Sequence, residues 1–181
     1  MRKIAAAALL LAIPAIAAAA SPEDPVRRMM DVATARLDEQ SSGGDYFDTP
    51  RLGRDYSGRF VEAYTAASKY PAYDDGSSNP FGYDVIANGQ DGCPLEDVTY
   101  REGQSDGAKK TVVVRFKLWQ CIPKDEQGYD SISEVRFDVV TENGQPVIDD
   151  IHRMRDGKWD SLVAEMAEIV KFGEQNASTP Q

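Results

Sequence analysis

The chain has 181 residues, with 20 Lys plus Arg against 30 Asp plus Glu, a formal charge of −10, one His and two Cys. That length suits a single core. The acidic balance argues against phosphate-backbone binding and against docking on anionic lipid, both of which need clustered Lys and Arg.

One His and two Cys are too few for a multi-histidine metal centre, a four-thiolate zinc site or an iron–sulfur cluster. Asp74-Asp75 and the group Asp125, Glu126 and Asp130 offer oxygen ligands but match no calcium-loop spacing, so they read as solvated acidic loops. No metal and no cofactor are expected. Arg2 and Lys3 precede an uncharged stretch from Ile4 to Ala20, which ends in Ala18-Ala19-Ala20 before Ser21. A basic start, an apolar middle and small residues at the end read as a signal peptide over residues 1–20. The stretch is short for a membrane span and is interrupted by Pro14. No Cys follows Ala20 closely enough to carry a lipid, so no anchor is expected after cleavage. The mature chain is expected in the periplasm, two charges more acidic than the precursor. In that oxidising compartment the only two thiols, Cys93 and Cys121, are expected to form a disulfide.

Asp24 is placed to cap a first helix and Pro25 to occupy its first turn. Val26, Met29, Met30, Ala33 and Leu37 follow helical spacing on one face, and Ser41-Ser42-Gly43-Gly44 closes the element. Thr49-Pro50 opens a second helix. Leu52, Tyr56, Phe60, Tyr64 and Ala67 carry its apolar face to about Lys69, with irregular first turns at Gly53 and Gly58. Residues 71–94 are dense in Pro, Gly, Asp, Asn and Ser, with Tyr73, Phe81 and Tyr83 set among them. They read as a meander pinned by buried rings and Cys93, with a functional loop as the alternative.

From Val98 the period becomes two. A first strand begins at Val98-Thr99-Tyr100 and turns at Ser105-Asp106-Gly107. In the second, Val112, Val114, Phe116 and Leu118 point inward and Val113, Arg115, Lys117 and Trp119 outward. Residues 131–141 put Ser133, Val135, Phe137 and Val139 inward, and Glu134, Arg136 and Asp138 outward. Asn143-Gly144 is a hairpin signal leading to a strand over Val147–Met154. Asp156-Gly157 breaks the pattern. Asp160 or Ser161 then caps a last helix, which Gly173 closes before a disordered tail over 173–181. This order predicts an α+β fold in one domain over 21–172. N-terminal helices would pack on a curved antiparallel sheet of three or four strands, with a C-terminal helix. A strongly twisted sheet would leave a conical pocket between helices and sheet.

Asn88-Gly89-Gln90-Asp91, the strand Val112-Val113-Val114-Arg115-Phe116, the run Ile148-Asp149-Asp150-Ile151 and the helix start Ser161-Leu162 carry a resemblance. Over roughly residues 26–170 the chain resembles the bacterial exported family called domain of unknown function 3828. Its fold is similar to the nuclear transport factor 2-like, or cystatin-like, α+β cone. Pro146 stands where that family carries a Trp, and Trp159 offers aromatic bulk from the next turn. The resemblance implies a pocketed fold and a periplasmic address, and it implies no reaction.

Catalysis finds few candidates. No Gly-x-Ser-x-Gly elbow surrounds a Ser, and His152 is the only imidazole. Asp149 and Asp150 are expected on opposite faces of their strand, so one of them is placed to enter the pocket. There a raised pKa would suit a lyase or isomerase. The preferred reading gives one Asp to backbone amides and leaves the other solvated, with His152 a hydrogen-bonded surface residue and Asp91 a turn former. Tyr64 and Phe60 are the candidate pocket rings. The expected function is therefore a non-enzymatic binding or accessory protein with an unknown small ligand. The alternative is an inhibitor or immunity-type protein whose acidic charge suits a basic protein partner. The charged outer sheet face argues for a monomer.

Overall fold

The computed structural model describes residues 20–38, 43–90 and 92–177. Residues 1–19, which hold most of the expected signal peptide, together with residues 39–42, Asp91 and residues 178–181, lie outside them. Helix α1 spans Glu23–Leu37. The Glu23 N–H donates to Ser21 Oγ at 3.3 Å and the Ser21 N–H to the Asp24 carboxylate at 2.9 Å. Asp24 thus lies inside the first turn and reaches back, a variant of the capping box. Val26, Met29, Met30 and Ala33 are buried, as their spacing requires.

The second expected helix is two helices, α2 (Thr49–Asp55) and α3 (Gly58–Ala67). Asp48 accepts the Arg51 N–H at 2.8 Å and Ser57 Oγ accepts the Phe60 N–H at 3.1 Å, so each helix has its own cap. Tyr56 and Ser57 are extended between them, and the Ser57 N–H donates to the Ile148 carbonyl at 2.8 Å. The helix is broken because this linker is stitched to the sheet.

Five strands form one antiparallel meander in chain order: β1 (Glu96–Asp106), β2 (Lys109–Lys117), β3 (Ile132–Glu142), β4 (Gln145–Arg155) and β5 (Lys158–Trp159). The count exceeds the three or four expected. Asp156 and Gly157, with φ of 50° and 75°, make a hairpin turn that returns β5 onto Met154 and Arg155. The inward sets of β2 and β3 are buried as the alternation predicts, Ser133 excepted, which is half-buried. In β4 the register slips, with Asp138 opposite Asp150 and Val139 opposite Ile148, so Asp149 is the extra residue of a bulge.

Helix α4 spans Leu162–Ala177, with Ser161 Oγ accepting the Ala164 N–H at 3.0 Å. It runs through Gly173, where the sequence reading ends it. A Cβ there would come within 2.2 Å of the Tyr70 ring, so this glycine permits a close approach instead of stopping the helix. Residues 173–177 are helical, not a tail.

Residues 81–90 and 92–95 are pinned from within. Phe81, Val85, Ile86, Cys93 and Leu95 are buried, and Asp84 accepts the Tyr46 hydroxyl and the N–H groups of Ile86 and Ala87. Cys93 and Cys121 are joined in a disulfide. The space between helices and sheet is filled by aromatic rings. Phe47 sits at their centre, 4.7 Å from Tyr64, 5.7 Å from Tyr56 and Phe81, and 5.9 Å from Phe60. Such offset and tilted contacts pack the interior closely.

Candidate functional site: a slot where two strands part

The expected pocket rings are core. Phe60 has no exposed surface and Tyr64 is 8% exposed. Both aspartates of β4 hold helix starts. Asp149 accepts Ser57 Oγ at 2.7 Å and pairs with Arg59 at 2.7 Å, which ties the first turn of α3 to the bulge. Burial would raise its carboxyl, but the Arg59 and Ser57 hydrogen bonds outweigh that and hold it below the ordinary range. Asp150, itself buried, accepts Ser161 Oγ at 2.6 Å and the Val163 N–H at 3.1 Å, a clasp on the N-terminus of α4. The one Asp on backbone amides is thus Asp150, and its neighbour is ion-paired where the sequence reading leaves it solvated.

His152 places Nδ1 2.6 Å from the Asp160 carbonyl and Nε2 3.0 Å from Asp138. The hydrogen bond to Asp138 raises its pKa against the effect of burial. Asp138 is read from sequence as an outward residue, yet it is buried, where it also takes Lys109 at 2.9 Å and Thr111 at 3.2 Å. Burial would push its carboxyl up, and the His152 and Lys109 hydrogen bonds bring it down to about 2. With both ring nitrogens engaged, His152 presents no lone pair to a substrate. Asp91 lies outside the described residues.

Arg153 is the largest buried side chain, only 1% exposed. It donates to Asp160 at 2.7 Å, to Glu165 at 2.6 Å and to the Tyr83 hydroxyl at 2.6 Å. Burial, then the hydrogen bond to Glu165, pushes the Tyr83 hydroxyl pKa up, so it stays protonated and donates to Glu165. This network clamps α4 and segment 81–90 to the end of β4.

Arg153 also decides where β4 leaves β3. Its N–H donates to Asp160 Oδ1 at 2.7 Å and its carbonyl accepts the Asp160 N–H at 2.9 Å. Both main-chain groups therefore face away from β3. The β3–β4 ladder runs from Glu142 opposite Gln145 to Val135 opposite Arg153 and ends there. Ahead of Val135, Ile132, Ser133 and Glu134 stay with β2, while Met154 and Arg155 go to β5.

A cleft of about 440 Å³ opens between the parted strands. Ile86, Ile132, Met154 and Trp159 supply apolar wall, and Asn88, Glu134 and Arg136 supply polar rim. Ile132 is 65% exposed and Met154 45%. The Arg136 guanidinium lies 3.8 Å from the centre of the Trp159 ring and pairs with Glu134 at 2.9 Å. Asn88 donates its side-chain amide to the Met154 carbonyl at 3.1 Å. The sequence reading singled out none of these as a site. The available signal was Ile132, an apolar residue on the face of β3 that carries Glu134, Arg136 and Asp138.

No helix among the described residues is long and apolar enough to cross a membrane. Those residues contain no group of three or more His, Cys, Asp or Glu placed to hold a metal ion. Compared with family models, curated proteins and solved structures, the chain gives no match.

Proposed function

We propose that the chain is an exported, non-catalytic binding or accessory protein that holds an amphipathic ligand in the slot between β3 and β4. The observation that carries this reading is the cleft itself, about 440 Å³ with two large apolar side chains left exposed on its walls. Ligand pockets of roughly 300–1,000 Å³ with apolar walls and a few polar groups are the usual form of small-molecule sites. A cystatin-like frame is part of the proposal, and helices packed on an antiparallel meander support it. So is a periplasmic address, supported by the basic-apolar-small N-terminal pattern and by the disulfide. The lyase or isomerase alternative needs a carboxyl with a raised pKa, and the candidate Asp149 is held low by Arg59 and Ser57.

Native mass spectrometry on protein purified gently from its own periplasm tests the proposal. A stoichiometric added mass below about 1 kDa is expected, consistent with a cleft of this size, and Ile132→Lys should abolish it. Retention of the same mass by that variant would place the ligand elsewhere and overturn the reading.

A further inference from the structure

We infer that the occupant of the slot is a short, extended peptide, paired as an extra strand on the free edge of β3. This rests on the reading of the slot as the binding site and names its ligand class.

Strand geometry gives the first reason. Along a strand, successive residues turn their N–H and C=O groups to opposite neighbours. Arg153 turns its pair away from β3, so Val135 opposite it turns its own toward β2. Three steps of alternation then put the N–H and C=O of Ile132 on the open side, where β4 has already left. The edge over Ile132–Glu134 is about 10 Å long. That is enough to pair with a segment of three residues.

The slot already holds one amide. The Asn88 side chain donates to the Met154 carbonyl at 3.1 Å, doing there what a peptide N–H would do. Beside the polar edge, Ile132, Met154 and Trp159 give a peptide's alternate side chains an apolar floor.

The charged groups of the slot are paired within the protein: Glu134 with Arg115 at 2.5 Å and Arg136 at 2.9 Å, and Arg153 with Asp160 and Glu165. The main-chain edge and the apolar floor are therefore what recognise the peptide.

The test uses the disulfide-bonded protein and two probes, a displayed library of random heptapeptides and the apolar anion 8-anilinonaphthalene-1-sulfonate. Selected peptides should carry apolar residues at alternate positions and bind at least tenfold more weakly to Ile132→Lys and Met154→Glu. They should also lose binding when the amides facing Ile132 are N-methylated. Both substitutions fall on exposed side chains, and circular dichroism confirms that the variants fold. Dye binding that is sensitive to Ile132→Lys, with no peptide enriched or with N-methylated peptides binding equally well, would overturn the peptide inference and leave the slot as a small-molecule site. Insensitivity of both probes to Ile132→Lys would overturn the slot reading itself. Concentration-dependent dimerisation that Ile132→Lys abolishes would assign the edge to a second copy and overturn the peptide inference.

Discussion

His152 sets both ring nitrogens against acceptors, the Asp160 carbonyl and the Asp138 carboxylate, and only the imidazolium donates to both. Its folded pKa therefore lies above the ordinary 6.5, while that of Asp138 falls from 3.8 to about 2. The histidine's contribution to stability is complete below pH 6.5 and is lost as pH rises through its raised value. The aspartate's contribution is complete above its unfolded value and is lost as pH falls through about 2. Urea midpoints should thus plateau between about pH 4 and pH 6.5 and decline on both sides. Because the chain has one His, His152→Gln should flatten the alkaline decline and leave the acid one. An unchanged alkaline limb would show that His152 does not carry it. Asp138→Ala should cost about 1–3 kcal/mol, since it leaves the imidazole and Lys109 without their acceptor. The type of His152 was legible in the sequence; its partner was not. Asp138 alternates as an outward residue, and only the pairing of β3 with β4 shows that it meets His152 across the strands.

Consecutive aspartates on one strand secure two different helices, α3 through Asp149 and α4 through Asp150. Asp149→Ala releases Ser57 and Arg59 and should cost about 1–2 kcal/mol. Asp150→Ala strands the Val163 N–H and Ser161 and should cost about 1–3 kcal/mol. Denaturant titration measures both. Dye affinity of the folded variants should stay at the wild-type level, and a loss of affinity in either would place that carboxylate in the binding site. Arg153→Met should be more severe, about 3–5 kcal/mol, because Asp160 and Glu165 lose their shared cation. It should also loosen the wall of the slot, since Asp160 loses the guanidinium that holds its carboxylate against the residue 153 N–H. Period-two alternation located β2, β3 and β4 to within about two residues, because half-buried strands carry that signal strongly. The break at Tyr56-Ser57 escaped because Tyr56 and Phe60 both enter the core, so the apolar spacing runs unbroken across two helices. Ser57, three residues ahead of Phe60 in a capping position, was the overlooked mark.

On the scale of the molecule, fold class was legible because element order alone separates helices from a consecutive antiparallel run. The slot was not, because it depends on where two strands part, and that is set by the buried Arg153 and its main-chain clasp with Asp160, seven positions on, in a region that reads as an ordinary turn. The disulfide is the other molecular-scale constraint. It encloses the β1–β2 hairpin, with a separation of 28 positions. In the chain-entropy picture a loop of that length destabilises the unfolded state by about 3.6 kcal/mol. Reduction, or the double variant Cys93→Ser/Cys121→Ser, should therefore lower the melting temperature by roughly 7–14 °C, as scanning calorimetry would read it. The slot should survive in the folded reduced protein. Asn88 is positioned by Asp84, which holds the N–H groups of Ile86 and Ala87, the Tyr46 hydroxyl and Arg36, none of which involves sulfur. Dye binding well below the melting temperature should then be the same with and without reductant. Loss of binding in reduced protein that still melts cooperatively would mean that segment 81–93 takes its position from the disulfide, and that the wall bearing Ile86 and Asn88 does not support itself.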